Sequence, residues 1–454
     1  MKGRILKKLT AAALAAVLVL GTLTGCGGGN AGDTDKATEA GKTTEAGKAA
    51  ETTAAEGKTT EAGKDADASQ TDNGEGKGSD AAGDGSDAKT SDGSSAGSTV
   101  DGGTIIWLAN LSSGPQYDGA VNYAKAVAGS MGYDFKVVYG DSFNDPNGNL
   151  SAVKNAMTKD VVAVIASQDG GIQNICDEYP ELYVCGYNTA MDAVYADGGT
   201  AAALKDNDHF LGTITDGHYD GAVTGHQYAQ AVIDGGYKKV ATITFPGYAY
   251  PNLALADTVF RQEIEAYNET ASEPIEIVGE SKVLEFAPLD ESWFLESGNN
   301  ELDAVVALCA GTTFVYPTMK TAVADGACSE NTKLLTSGFD TDESLLADIG
   351  GAGMIQYISI SPVENIGWSI AMLDKALKGE MYADYTANER IDSLEYIIDS
   401  TEDVENIMSK SLLGTLDPAD AQVSVEDIQA CTTYADLKAL FMSQQLTVDA
   451  LAAR

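Results

Sequence analysis

From residue 103 onward the chain alternates short apolar runs with longer stretches whose apolar positions recur at helical spacing. The first runs predict strands over 104–109, 135–139, 161–165 and 182–186, each short and rich in β-branched or aromatic residues. Between them the spacing predicts helices over 117–131, 150–157 and 171–178, the first closed by Gly132. A βαβαβαβ order of this kind implies a parallel sheet covered on both faces.

A second series follows. Helices are predicted over 222–234, 258–267 and 314–324, and strands over 239–245, 275–278, 304–308 and 333–339. Two doubly wound units in tandem are more than one hydrophobic core usually takes, so two lobes are expected. Ligands of such sheets bind beyond the carboxyl ends of the strands, which directs attention to the loops after each one.

The first hundred residues have a different pattern. A basic head (Lys2, Arg4, Lys7, Lys8) precedes an apolar run over 9–23 that is too short for a permanent membrane span, as in an export signal. Residues 27–101 then carry almost no large apolar side chains, and the unit TEAGK recurs at 38–42, 44–48 and 60–64. Such a composition buries too little apolar surface to offset chain entropy and predicts a flexible tether, with a mean span of roughly 50 Å.

Charge and cysteine usage narrow the function classes. The formal net charge is −40. Four bases fall in the leader, and sixteen acids against seven lysines in the tether, which leaves −35 for residues 102–454. Nucleic acid and anionic membrane surfaces are poor partners for such a surface, because phosphate binding needs clustered Lys and Arg. Beyond Cys26, the five cysteines Cys176, Cys185, Cys309, Cys328 and Cys431 show no Cys-x-x-Cys spacing, so neither a zinc site nor a dense disulfide framework is expected, and Cys185 and Cys309 lie in apolar runs as buried thiols. His209, His218 and His226 are the only histidines, and their spacing does not suggest a shared metal site. No dinucleotide fingerprint, phosphate loop or nucleophile-base arrangement is evident, so no cofactor and no enzymatic activity are expected. A Gly-x-Ser-x-Gly match at 93–97 lies in the low-complexity tether, with no strand before it.

Several local signatures give the chain a family likeness. Leu23-Thr24-Gly25-Cys26 at the end of the apolar run resembles the bacterial lipobox, which implies cleavage before Cys26 and lipidation of its sulfur. The loop Ser113-Gly114-Pro115-Gln116-Tyr117, the stretch from Thr215 to Gly221, the strand end Ser337-Gly338-Phe339-Asp340 and the helix opening Asn365-Ile366-Gly367 occur in an order similar to that of the type I periplasmic binding proteins, the ribose- and galactose-binding group. The resemblance runs from about 103 to 390. It implies two doubly wound α/β lobes with a ligand cleft between them, and a solute-binding component of an ABC importer.

Carried over position by position, the resemblance implies a ligand set of Ser113, Gln116, Tyr117, Tyr187, Asn188, Asp340 and Ser361, with Tyr248 or Phe314 as further stacking faces. The family's clamp on sugar hydroxyls is largely replaced: Tyr187-Asn188 stand where an Asp-Arg pair is usual, Ala256 where an arginine is usual, and Gly311-Thr312 where Asn-Asp is usual. Flat tyrosine faces with neutral hydrogen-bonding groups suit an uncharged polar ring.

The expected domain plan is a lipoprotein signal over 1–26, the tether over 27–101, a first lobe of 103–215 plus 362–392, and a second lobe of 216–361 plus 393–454. Helical runs at 401–411 and 434–443 extend past the family's usual end and are expected to pack on the second lobe. The expected function is a lipid-anchored, monomeric, extracytoplasmic solute-binding protein that delivers a small neutral polar solute, a carbohydrate, to an ABC permease. Two alternatives remain open. The segment from Glu178 to Tyr183 resembles the nucleoside-binding lipoproteins of the basic membrane protein family, and the same fold can serve as a sensor that docks to a signalling receptor.

Overall fold

The computed structural model describes residues 102–454 apart from Leu111, residues 141–143 and His218. Cys26, the signal and the tether lie outside the described residues.

Strands in chain order are β1 (Thr104–Leu108), β2 (Asp134–Val138), β3 (Val161–Ala166), β4 (Tyr183–Tyr187), β5 (Phe210–Asp216), β6 (Lys239–Thr244), β7 (Glu276–Ile277), β8 (Lys282–Val283), β9 (Ala304–Ala307), β10 (Lys333–Ser337), β11 (Ile355–Ile360), β12 (Arg390–Ser393) and β13 (Tyr396–Ile398). They form two sheets. The first runs β12-β5-β4-β3-β1-β2, and its pairings are all parallel. The second runs β13-β11-β10-β9-β6-β7, with β8 also on β6 and only β13 antiparallel. Each sheet with its covering helices makes one lobe.

The expected strands recur within one or two residues, but β5, β8, β11, β12 and β13 are additional. Strand β5 is wholly buried although Thr213, Thr215 and Asp216 stand among its apolar residues, so its run is too mixed to read as a core strand. Gly212 in it adopts φ +100, and a Cβ there would lie 2.4 Å from the Glu389 carbonyl oxygen, so only glycine lets the approach to β12 form.

Helix boundaries follow their capping chemistry. Asp145 accepts from the Asn147 and Gly148 N–H groups at 3.1 Å, and Pro146 follows at the first helical position. Asp220 caps Gly221–Gly235 through the Ala222 and Val223 N–H groups. The helix Ile366–Leu377 is buried along most of its length under the first sheet, where Ser369 Oγ donates to the Gly186 carbonyl at 2.9 Å.

The chain crosses from one sheet to the other three times: after β5, after β11, and between β12 and β13, where only Leu394 and Glu395 intervene. The C-terminal residues depart from expectation. Strand β13 joins the second sheet, and the helices Thr401–Lys410 and Val448–Ala452 pack on each other beside it. The intervening chain lies on the first lobe. Tyr123 Oη donates to the Val423 carbonyl at 2.7 Å, the Tyr434 and Ala435 N–H groups donate to Asp384, and Lys438 pairs with Glu389 at 2.8 Å. The segment expected on one lobe is therefore a strap across both.

All five described cysteines are buried free thiols. Burial pushes Cys176 and Cys309 up to about 12, so neither is reactive at neutral pH. His209 stacks on Tyr183 with ring centroids 4.5 Å apart, and His226 faces Glu263 at 3.4 Å. No helix among the described residues is long and apolar enough to cross a membrane.

Candidate functional site

A cleft opens where the carboxyl ends of the first sheet meet the loop after β6. Its walls stand close together and leave about 50 Å³ between them. One wall comes from residues after β1 (Asn110), β3 (Ser167, Gln168, Asp169) and β4 (Asn188 to Asp192), with Tyr219 after β5; the facing wall is Ala249 to Asn252.

The first wall is fixed by hydrogen bonds between strand ends. Trp107 Nε1 donates to Ser167 Oγ at 2.9 Å, which ties β1 to β3. Gln168 Nε2 donates to the Ala109 carbonyl at 2.9 Å, and its Oε1 accepts from the Asn144 N–H at 2.5 Å. Asp169 Oδ2 accepts from the Ala193 N–H at 3.0 Å. Asn188 and Met191 both adopt φ 49, a left-handed conformation costing a non-glycine residue on the order of 1 kcal/mol. The strain turns 188–192 across the mouth of the cleft, and buried Met191 anchors the turn from below.

Aromatic side chains frame the opening. The Tyr250 ring lies 5.5 Å from Phe245 and 6.2 Å from Phe286, so it is held by the second lobe. Burial and nearby Asp216 raise the Tyr219 phenol, while a hydrogen bond with the Asn110 side chain opposes the shift. Among the described residues, the charged ones lining the cleft are Asp169 and Asp192. Burial, then Asp169, raises the Asp192 carboxyl, and Arg390 partly offsets them.

The three crossings meet behind this wall in a buried polar cluster. Asn365 Nδ2 donates to Ser393 Oγ at 2.8 Å and lies 3.5 Å from both Asn188 Oδ1 and Asp216 Oδ2. Glu364 and Glu395 are buried beside it. Burial pushes Glu364 up to about 7; burial and then Asp216 push Glu395 up to about 8, against a hydrogen bond from Gln227.

Of the residues named from sequence, Asn188 lines the cleft. Tyr187 lies beneath it, 3% exposed, edge-on to Trp107 at 5.6 Å, and Tyr117 stacks on Trp107 at 6.0 Å. Both rings belong to the first lobe's packing. Ser361 is buried at the second crossing, Ser113 is exposed, and Gln116 is half-buried on the opening turn of its helix.

Asp340 faces a second depression of about 400 Å³, shared with Gly114, Pro115 and the strap residues from Leu412 to Leu416. Its Oδ1 accepts from its own loop, from the Thr341 N–H at 2.6 Å and the Asp342 N–H at 3.3 Å. The strap, which lies past the extent of the family resemblance, thus occupies the surroundings of the position carried over from it. Tyr248 is largely exposed, with its hydroxyl on Glu285 at 3.1 Å, and Phe314 packs edge-on to Phe245 at 5.0 Å. The ring that enters the cleft is Tyr250, two residues beyond Tyr248. Asn110, Gln168, Asp169, Asp192 and Tyr219 were not named from sequence, although each lies within five residues of a strand's carboxyl end, which is the signal that marks them.

No protein-family model and no curated protein sequence matches the chain. Solved structures do. An ABC transporter solute-binding protein from Agrobacterium vitis, bound to α-D-tagatopyranose, superposes with a TM-score of 0.50 at 15% identity over 67% of this chain and 96% of its own. A periplasmic ribose ABC transporter protein from Conexibacter woesei gives 0.49 at 18% identity, over 69% and 97% of the two chains. An arabinose-binding protein from Geobacillus stearothermophilus gives 0.49 at 16%, over 67% and 98%. With two parallel-sheet lobes joined by three crossings, the chain has the type I periplasmic binding protein fold.

Proposed function

We propose that this protein is a solute-binding protein that closes its two lobes on a small polar solute, a carbohydrate, and delivers it to an ABC importer. The cleft carries the reading. Strand ends of one lobe and the Tyr250 loop of the other bring side-chain amides, hydroxyls and two tyrosine rings around one small space, which is the chemistry of hydroxyl recognition with ring stacking. The solute-binding protein from Agrobacterium vitis holds a sugar on the same fold, which supports a ligand of that class. A thermal-shift screen of monosaccharides tests it: a ligand present at 100 times its Kd adds about 2.7 kcal/mol, enough to raise the melting midpoint by several degrees. If purine nucleosides stabilise the protein and no sugar does, the carbohydrate reading is wrong.

The same proposal holds the protein to the extracytoplasmic face of the membrane through a lipid on Cys26, supported by the Leu-Thr-Gly-Cys sequence after an apolar run. Cys26→Ala is expected to release the protein into the medium or to block processing of the leader. Membrane retention of the variant at its usual mature size contradicts the anchor.

A further inference from the structure

Among the described residues, the charges of the cleft are one-sided. Its described lining contains Asp169 and Asp192 and no Lys, Arg or His. The base nearest in effect, Arg390, is committed elsewhere: its guanidinium pairs with Asp220 at 2.7 Å and with Asp392 at 3.1 Å. Two carboxylates in a partly desolvated cleft repel each other, and a bound molecule that displaces water strengthens that repulsion unless it brings a compensating charge.

We infer that the cleft selects a polyhydroxylated solute bearing a protonated amine, an amino sugar, with its ammonium seated against Asp192 and Asp169; this rests on the solute-binding reading above. An uncharged sugar leaves the repulsion in place. A uronate or sugar phosphate adds a third negative charge and is rejected. An ammonium donates charge-assisted hydrogen bonds to both carboxylates, and Tyr219 and Tyr250 line the same space. Asn110, Asn188, Thr189 and Asn252 remain to orient hydroxyls. The raised carboxyl of Asp192 fits this arrangement, since burial and neighbouring acids disfavour its charge until a cation arrives. A strongly negative chain also draws cationic solutes toward it.

Isothermal titration of the purified protein with glucosamine, glucose and glucuronate, and with the three matching galactose derivatives, tests the inference. The amine is expected to bind at least about tenfold more tightly than its parent sugar, with no detectable uronate binding. Raising the ionic strength is expected to weaken the amine alone. Asp192→Asn, checked by its melting curve, is expected to bring amine and parent to within about twofold; Asp169→Asn serves in its place if that variant does not fold. A parent sugar binding as tightly as its amine overturns the charge selection and leaves the solute-binding function intact. If no member of either set binds, the carbohydrate reading falls and the amine inference falls with it.

Discussion

Phe441→Ala is expected to destabilise the protein by about 3–5 kcal/mol, whereas Met442→Ala beside it is expected to cost less than about 0.5 kcal/mol. Phe441 is fully buried in the continuous core that joins the lobes, while Met442 is 43% exposed. The contrast follows from the strap. Leu437, Phe441, Leu446, Val448 and Leu451 are all buried, and the polar ties run to both lobes: Tyr123 to Val423 on the first, and Thr401 Oγ1 to the Ile349 carbonyl at 3.4 Å on the second. Removing one large ring from such a core loses its transfer free energy and leaves a cavity that the surrounding elements only partly fill. Thermal or denaturant unfolding of the two variants checks the prediction. Equal stabilities for the two would mean that the C-terminal helices add nothing to the fold.

Stability is expected to be greatest near pH 5 and to fall by several kcal/mol by pH 9. Glu364 is fully buried and Glu395 is 8% exposed, and their folded-state values, about 7 and about 8, lie above the ordinary carboxylate value of 4.5. A group whose folded-state value is raised contributes stability that is fully present below its unfolded value and is lost as pH rises through the folded one. The loss therefore spans roughly pH 4.5 to 8, with each group losing about 1.4 kcal/mol per pH unit between its unfolded and folded values, and mutual coupling to Asp216 reducing any simple sum. The groups facing Glu364 are the Tyr123, Tyr187 and Tyr396 phenols and, at longer range, Arg454; those facing Glu395 are Asp216, Gln227 and the Tyr228 and Tyr357 phenols. None of these is a paired base at contact distance. Asp384 behaves oppositely, held low by the Tyr434 and Ala435 N–H groups, and loses its contribution only in stronger acid. Melting curves across the pH range should show a slope that Glu364→Gln and Glu395→Gln each flatten. A midpoint independent of pH between 5 and 8, or variants with the wild-type slope, contradicts the assignment.

The strand and helix alternation was legible because the inner strands are short apolar runs and the helices carry amphipathic spacing; β1, β3, β4 and β9 begin and end within a residue or so of expectation. Strand β5 was not, because its threonines and Asp216 are buried by neighbours that only tertiary structure supplies. Strands β12 and β13 are short edge strands whose pairing depends on the third crossing, a contact at long range. Of the site residues expected from sequence, Asn188 lines the cleft and the others lie outside its lining. Position-by-position carry-over named Tyr187 and Tyr117, which pack on Trp107, and Asp340, which lies on the depression that the strap helps to line. The rule that ligands sit beyond strand carboxyl ends points to the loops that line the cleft, but which of their residues turn inward depends on left-handed turns such as those at Asn188 and Met191, which residue type alone does not reveal.

The central claim is that a solute binds between the β3 and β4 strand ends and the Tyr250 loop. Isothermal titration with the strongest ligand from the sugar screen tests it on Asn252→Ala, Asn188→Ala and Asp340→Ala, the first two altering opposite walls of the cleft and the third the strap-side depression. Asn252→Ala is the cleaner of the wall variants, since Asn188 also holds a left-handed backbone conformation that alanine disfavours. Each wall variant is expected to weaken binding about tenfold through the loss of hydrogen bonds to the solute, and Asp340→Ala to stay within about twofold of the wild type. Wild-type affinity in Asn252→Ala together with a large loss in Asp340→Ala would contradict the account and move the binding site to the depression beside the strap.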